Sequence, residues 1–155
     1  MVCPSARRRI DLGTDDLIYE ADGPVAWLTF NRPHARNAMT WTMYDGLSAA
    51  CERVDGDGAV RVFVLRGAGD QAFVAGTDIS QFRAFTTAED ALNYERTLSR
   101  HVSRLESVRK PTIAPGTAPI ASANLAFVGN RDQSIAGGPR PDETLAIDGD
   151  RLQIG

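Results

Sequence analysis

The segment Phe73-Val74-Ala75-Gly76-Thr77-Asp78-Ile79-Ser80-Gln81-Phe82 is the part of this chain best equipped for chemistry. Here a strand is expected to end at a glycine, with a helix beginning at once and Asp78 as its capping residue. At such a turn the first amides lack intrahelical partners and point outward with the positive end of the dipole. A carbonyl oxygen lying there is polarised, and an oxyanion is stabilised. Gly76 permits close approach to the backbone. On these residues alone, a tight strand-to-helix turn with no chemical role remains open.

Other reactive side chains are less well placed. His34 stands in a loop beside a proline, and His101 falls mid-helix near Arg100 and Arg104, where half-exposed packing is expected. Ser80 and Gln81 are expected to bond or cap rather than catalyse, Trp27 and Trp41 to pack, and Arg36 by itself to be a solvated arginine. Cys3 and Cys51 form neither a disulfide framework nor a metal-ligand cluster, and Cys51 reads as a small core residue. No GxxxxGK[ST] loop and no GxSxG elbow occurs, which argues against a nucleotide hydrolase and a serine hydrolase.

The elements that must carry the turn follow from pattern. Residues 17–20 and 25–30 are two strands joined by a turn at Asp22-Gly23-Pro24; alternation in the second predicts cover on both faces. Asn31-Arg32-Pro33 ends that strand. Met39, Met43, Leu47, Ala50 and Val54 predict a helix over 38–54, and residues 60–65 a strand closed by Gly67-Ala68-Gly69-Asp70. A long helix is expected over 87–108, with Leu92, Leu98, Val102 and Leu105 as its buried seam, before a strand at 112–114. The sum is an α/β chain with helical crossovers.

The composition agrees with such a fold: 155 residues, 43% hydrophobic, 24% charged, net charge -3. That balance predicts no nucleic-acid partner, and no apolar run approaches the roughly 20 residues of a membrane span. The basic start at Arg7, Arg8 and Arg9 lacks a following apolar region, so residues 1–15 are expected to be a disordered lead-in and the chain cytoplasmic.

Four segments together resemble the N-terminal half of the enoyl-CoA hydratase/isomerase (crotonase) family. They are Leu28 to Pro33 with Arg36-Asn37-Ala38-Met39, Val62 to Gly67, Phe73 to Ile79, and Lys110 to Ala114. The resemblance implies a crotonase-like spiral of β-β-α units over 16–114. It implies an acyl-CoA thioester as substrate, with CoA part of that substrate and no separate cofactor or metal. Homotrimers, sometimes paired into hexamers, are the implied assembly. By the same resemblance the backbone N–H of Thr77 is an oxyanion donor, so Thr77→Pro should be severe and Thr77→Ala mild. Arg36 meets a CoA phosphate and Ala35 offers a backbone contact to the adenine part. Ala75, Gly76, Asp78 and Ile79 lie beside the pantetheine and acyl entrance.

The family continues into a glycine-rich loop with the second oxyanion amide and, in hydratases, two glutamates. Here the pattern departs at Pro115: residues 115–123 hold one glycine, no acid occurs between Glu106 and Asp132, and Glu143 is the only later glutamate. Residues 115–155 are thus expected to be an atypical, poorly patterned tail, with at most a strand or helical turn at 121–128 and a small hairpin around Asp148-Gly149-Asp150. Ile113 would then border an uncovered apolar patch. Lys110 is the lone lysine among 17 basic residues, a bias that suggests a GC-rich gene; with the abrupt loss of pattern it points to a frameshift or an internal rearrangement near residue 114. The expected activity is enoyl-CoA hydration or isomerisation in a truncated chain; the alternative is a non-catalytic acyl-CoA-binding or subunit-interaction fragment.

Overall fold

The computed structural model describes residues 7–115 and the backbone of three later strand segments. Its main sheet takes its strands in chain order: β1 (Arg8–Ile10), β2 (Leu17–Asp22), β3 (Val25–Phe30), β4 (Val62–Gly67), β5 (Thr112–Pro115) and β6 (Leu125–Phe127). β2 and β3 form an antiparallel hairpin over Gly23-Pro24, pairing Leu17 with Phe30 and Asp22 with Val25. Parallel pairing of β3 with β4 and of β4 with β5 then requires crossovers, supplied by α1 (Trp41–Gly56) and α2 (Ala88–Glu106). β2, β3 and α1 make one β-β-α unit. In the next, β4 is the regular strand and the segment before α2 is irregular.

The two faces of β3 explain its double cover. Ala26, Leu28 and Phe30 join Met43, Leu47, Ala50, Cys51 and Val54 of α1 in the main core, while Trp27 faces Val62, Val64 and Ile113 on the other side. Cys51 is fully buried, which pushes its thiol up to about 12. Ile113 itself is buried, packed in the cluster with Trp27, Val62 and Val64; the segment that would border a patch beyond it lies largely outside the described residues. The lone lysine closes the loop after α1, with Lys110 Nζ donating to the carbonyls of Val60 (2.7 Å) and Asp57 (3.3 Å).

Several expectations are corrected. The lead-in is not disordered from Arg8 onward, because β1 pairs antiparallel with β2 through Arg8, Arg9 and Ile10; residues 1–6 lie outside the described residues. α1 starts at Trp41 rather than residue 38. Arg36 and Asn37 have φ of 51° and 57°, left-handed values that a helix cannot propagate through, and Thr40 is the extended N-cap whose hydroxyl accepts from Met43 N. The apolar stretch at 72–74 is no strand, and the helix after Asp78 is a 3₁₀ helix, Ile79–Ala84.

The seam of α2 also differs. Leu92 and Val102 are exposed, and the inward stripe is Tyr94, Leu98, His101 and Leu105. Rings with a polar tip replaced aliphatic residues in that stripe, so a count of aliphatics alone ran around the helix rather than along one face. His101 is 5% exposed, not half-exposed. Its ring stacks on Tyr44 (5.8 Å, 26°), and its Nδ1 lies 2.6 Å from Ser48 Oγ. Of the tail, the segment at 125–127 is a strand, β6, and β7 (Leu145–Asp148) with β8 (Arg151–Ile154) forms the small hairpin that the turn residues suggested.

Candidate active site

The site is built from two loops that run side by side at the ends of β3 and β4. Pro33 ends β3 and starts a short 3₁₀ turn, Pro33–Ala35. The chain then reverses through Arg36 and Asn37. Asn37 is fully buried and closes this loop on itself: its N–H donates to Arg32 O (2.8 Å), and its Oδ1 accepts from Arg32 N (2.9 Å). Its Nδ2 reaches the second loop and donates to Ala68 O (2.9 Å) and Ala72 O (2.8 Å). Gly67 makes that approach possible, because a Cβ there would stand 2.5 Å from Phe73 O, 2.7 Å from Ala72 O and 2.8 Å from Asn37 Nδ2.

Downstream the loops pair. Ala75 N donates to Arg36 O (3.1 Å), Met39 N to Gly76 O (2.8 Å), and Asp78 N to Met39 O (2.9 Å). This is a parallel bridge between Met39 and Thr77. In such a bridge one residue, here Met39, gives and receives both hydrogen bonds through the residues flanking its partner. The partner's own N–H faces the other way. Accordingly Thr77 N–H has no partner among the described residues. It sits on a rim where Ala75 and Gly76 are exposed, with Ile79 78% exposed beyond it. The φ of +99° at Gly76 suits glycine and shapes this rim.

Asp78 works inward rather than outward. Its Oδ1 accepts from Ser80 N (3.0 Å) and Ser80 Oγ (2.7 Å), and its Oδ2 from Arg32 Nη1 (3.1 Å). Those hydrogen bonds, Ser80 first and Arg32 after, hold its carboxyl below the usual carboxylate range. Asp78 is therefore an ionised cap and a poor proton acceptor at neutral pH. Gln81 completes the joint: its Oε1 accepts from Trp41 N (2.7 Å) at the start of α1, and its Nε2 donates to Met39 O (3.0 Å). Ser80 and Gln81 thus bond and cap, as their positions suggested.

The side chain of Thr77 has a role that the sequence reading missed. Its Oγ1 lies 2.7 Å from Tyr44 Oη and 2.9 Å from Tyr94 Oη, so it links α1 to α2. Around this link, Trp41 meets Tyr94 edge-on (5.3 Å) and Phe82 packs against Tyr94 (4.8 Å, 87°). Burial pushes the Tyr44 phenol up, and the hydrogen bond to Thr77 opposes this only in part. On the first loop, Ala35 is half-buried, Arg36 and His34 are exposed, and Arg36 contacts the second loop through its carbonyl. The structure therefore brings Ala35, Arg36, Ala75, Gly76, Thr77, Asp78 and Ile79 to one pair of adjoining loops. Of the residues that hold them there, Gln81 was expected to bond or cap, while Arg32, Asn37 and Gly67 stood in the sequence only as members of motifs or strand ends.

Comparison with known proteins finds relatives of this chain. The family model described as enoyl-CoA hydratase/isomerase matches residues 20–130, continuing past Ala114. The chain is 34% identical over 100 residues to the short-chain-enoyl-CoA hydratase of Clostridium acetobutylicum, covering 64% of this chain and 38% of that protein. It is 36% identical over 101 residues to the crotonyl-CoA hydratase of Syntrophomonas wolfei, covering 64% and 38%. A crystal structure of an enoyl-CoA hydratase/carnithine racemase from Magnetospirillum magneticum superposes with a TM-score of 0.61 at 33% identity, over 66% of this chain and 39% of that one. The chain thus spans well under half the length of these relatives. Bridged loops, mixed sheet and matched residues converge on one conclusion: the chain belongs to the enoyl-CoA hydratase/isomerase family.

Proposed function

We propose that this chain holds the thioester carbonyl of an acyl-CoA through the backbone N–H of Thr77, which serves as one donor of an oxyanion hole in an enoyl-CoA hydration or isomerisation. The observation that carries the reading is the Thr77 N–H, without a partner among the described residues, on the rim of the Met39–Thr77 bridge. A donor fixed by its own backbone needs no reorganisation as negative charge develops on the carbonyl oxygen, and this favours an enolate over the ground-state thioester. Ala75, Gly76 and Ile79 form the exposed rim along which the pantetheine arm and acyl group would lie, and Arg36 is free to meet a phosphate of the nucleotide. Asp78 is not the base: Ser80 and Arg32 hold it ionised and occupied. The second donor and the general acid and base are not assigned to described residues.

A second reading is favoured by the same inventory. With one donor and no unengaged carboxylate on the turn, the chain binds an acyl-CoA thioester, or a companion subunit, without turning it over. Purified chain with crotonyl-CoA separates the two. Loss of the conjugated thioester absorbance, abolished by Thr77→Pro, supports the enzyme; binding of crotonyl-CoA without turnover supports the module. For an active chain, removing this donor should slow the rate by about 10²–10³-fold. Neither binding nor turnover, in a chain whose circular dichroism shows it folded, would refute the enzyme and the acyl-CoA-binding module alike.

A further inference from the structure

We propose that Tyr44 and Tyr94 are positioning residues for the oxyanion turn, acting through the hydroxyl of Thr77; this rests on the reading of Thr77 N–H as the donor to the thioester carbonyl. Thr77 Oγ1 is bracketed by Tyr44 Oη at 2.7 Å and Tyr94 Oη at 2.9 Å. A hydroxyl with one proton and two lone pairs satisfies both contacts at once. The two phenols come from different helices, Tyr44 from α1 and Tyr94 from α2. Neither ring swings freely: Tyr44 is 6% exposed and stacks with His101, while Tyr94 is packed by Trp41 and Phe82.

Thr77 is therefore gripped from both sides. Its main chain is set by the hydrogen bonds Met39 N to Gly76 O and Asp78 N to Met39 O, which flank it. Its side chain is set by the two phenols. The N–H lies in the planar Gly76–Thr77 peptide, opposite the Gly76 carbonyl that Met39 N holds, so the bridge sets its mean direction. The β-branched carbon admits few χ1 values, so fixing Oγ1 holds the Cα–Cβ bond of Thr77 and limits rocking of that peptide about the bridge. An amide lacking the second grip keeps its donor but lets the N–H direction wander, and small errors in alignment weigh heavily in such a site. The bracket also ties the facing of the turn to the packing of α1 on α2.

The test uses the full chain with crotonyl-CoA carrying carbon-13 at the thioester carbonyl, read by isotope-edited infrared difference spectroscopy. In the unchanged chain the bound carbonyl band moves to lower wavenumber than in free thioester, and Thr77→Pro abolishes the movement. The double variant Tyr44→Phe/Tyr94→Phe should lose at least about half of it while Kd for crotonyl-CoA changes by less than about threefold, since the donor is misdirected rather than removed. Thr77→Val should behave like the double variant, and Thr77→Ser, which keeps the hydroxyl but not the β-branch, should hold the band between the position in the unchanged chain and that in Thr77→Val. Phenylalanine fills the tyrosine volume, and the single variants Tyr44→Phe and Tyr94→Phe give graded losses if the double variant unfolds. A band unmoved in the unchanged chain overturns the donor reading and this proposal with it. A band moved in the unchanged chain, lost in Thr77→Pro, yet fully retained in the Tyr variants overturns this proposal alone.

Discussion

Asn37→Ala removes in one step three side-chain hydrogen bonds, one that closes the first loop of the site on Arg32 and two that join it to the second loop. Arg32 N loses its acceptor, and the carbonyls of Ala68 and Ala72 lose a donor, at a residue with no exposed surface. At about 1 kcal/mol net for each bond, the loss is about 3 kcal/mol, and groups left without water add to it. The φ of 57° adds a further cost of about 1 kcal/mol, because alanine tolerates the left-handed region less well than asparagine. The sum, about 4 kcal/mol, is a large fraction of the roughly 5–15 kcal/mol that stabilises a domain. Asn37→Gly separates the two contributions: it loses the same bonds but not the backbone penalty, so it should be about 1 kcal/mol less damaging than alanine. Asn37→Asp keeps the acceptor for Arg32 N yet sets a carboxylate against two carbonyl oxygens, and should be no better than alanine. Urea unfolding followed by the fluorescence of Trp27 and Trp41 gives these differences, provided the m-value is unchanged. An alanine variant within about 1 kcal/mol of the parent, or a glycine variant worse than alanine, would refute the account of Asn37 as the tie between the loops.

Three further outcomes are expected. Gly67→Ala should destabilise by about 1–3 kcal/mol, since its Cβ would meet two backbone carbonyls inside 3 Å; an unchanged melting temperature would show that the loop yields freely. Burial holds His101 below its ordinary value of 6.5, with Asp45 opposing and Arg100 reinforcing, so the folded chain prefers neutral imidazole and the unfolded chain binds the proton more readily. Its contribution is complete above pH 6.5 and is lost as pH falls below it. The urea midpoint should therefore drop from pH 7.5 to 5.5, and less so in His101→Gln; an equal drop in both chains would exclude His101 as the cause. The carboxyls of Asp57, Asp78 and Asp90, held below 3.8, contribute their own loss only at lower pH. Tyr19 Oη is fully buried and has no hydrogen-bond partner among the described residues, so Tyr19→Phe should leave stability unchanged or raise it by up to about 1 kcal/mol; a loss above that would reveal a partner for the hydroxyl.

Much of the fold was legible because its signals are local. Alternation in β3, the four-and-three stripe of Met43, Leu47, Ala50 and Val54, and proline or glycine at chain reversals depend on neighbours in sequence, and each element formed where they pointed. Errors arose where neighbours in space took over. Arg8, Arg9 and Ile10 are two basic residues and one apolar residue with no strand pattern until β2 offers them a ladder. The stripe of α2 is set by what it faces, Ser48 and Tyr44 on α1, so His101 and Tyr94 turn inward while Leu92 and Val102 turn out. Residues 72–77 look strand-like, but Asn37 Nδ2, Arg36 O and Met39 N draw their backbone groups away from any ladder.

By itself, the sequence determined the order and type of the elements, the turn at Gly76-Thr77-Asp78 and the family to which such spacing belongs, because hydrophobic period and turn chemistry are written within a few residues of each other. Only the tertiary structure decided what that turn is made to do. The free direction of Thr77 N–H follows from a bridge to Met39, 38 residues away; the inward commitment of Asp78 follows from Arg32, and the bracketing of Thr77 Oγ1 from two helices. Hydrogen bonds between segments remote in sequence leave no periodic trace, so their partners become known only when the chain is folded.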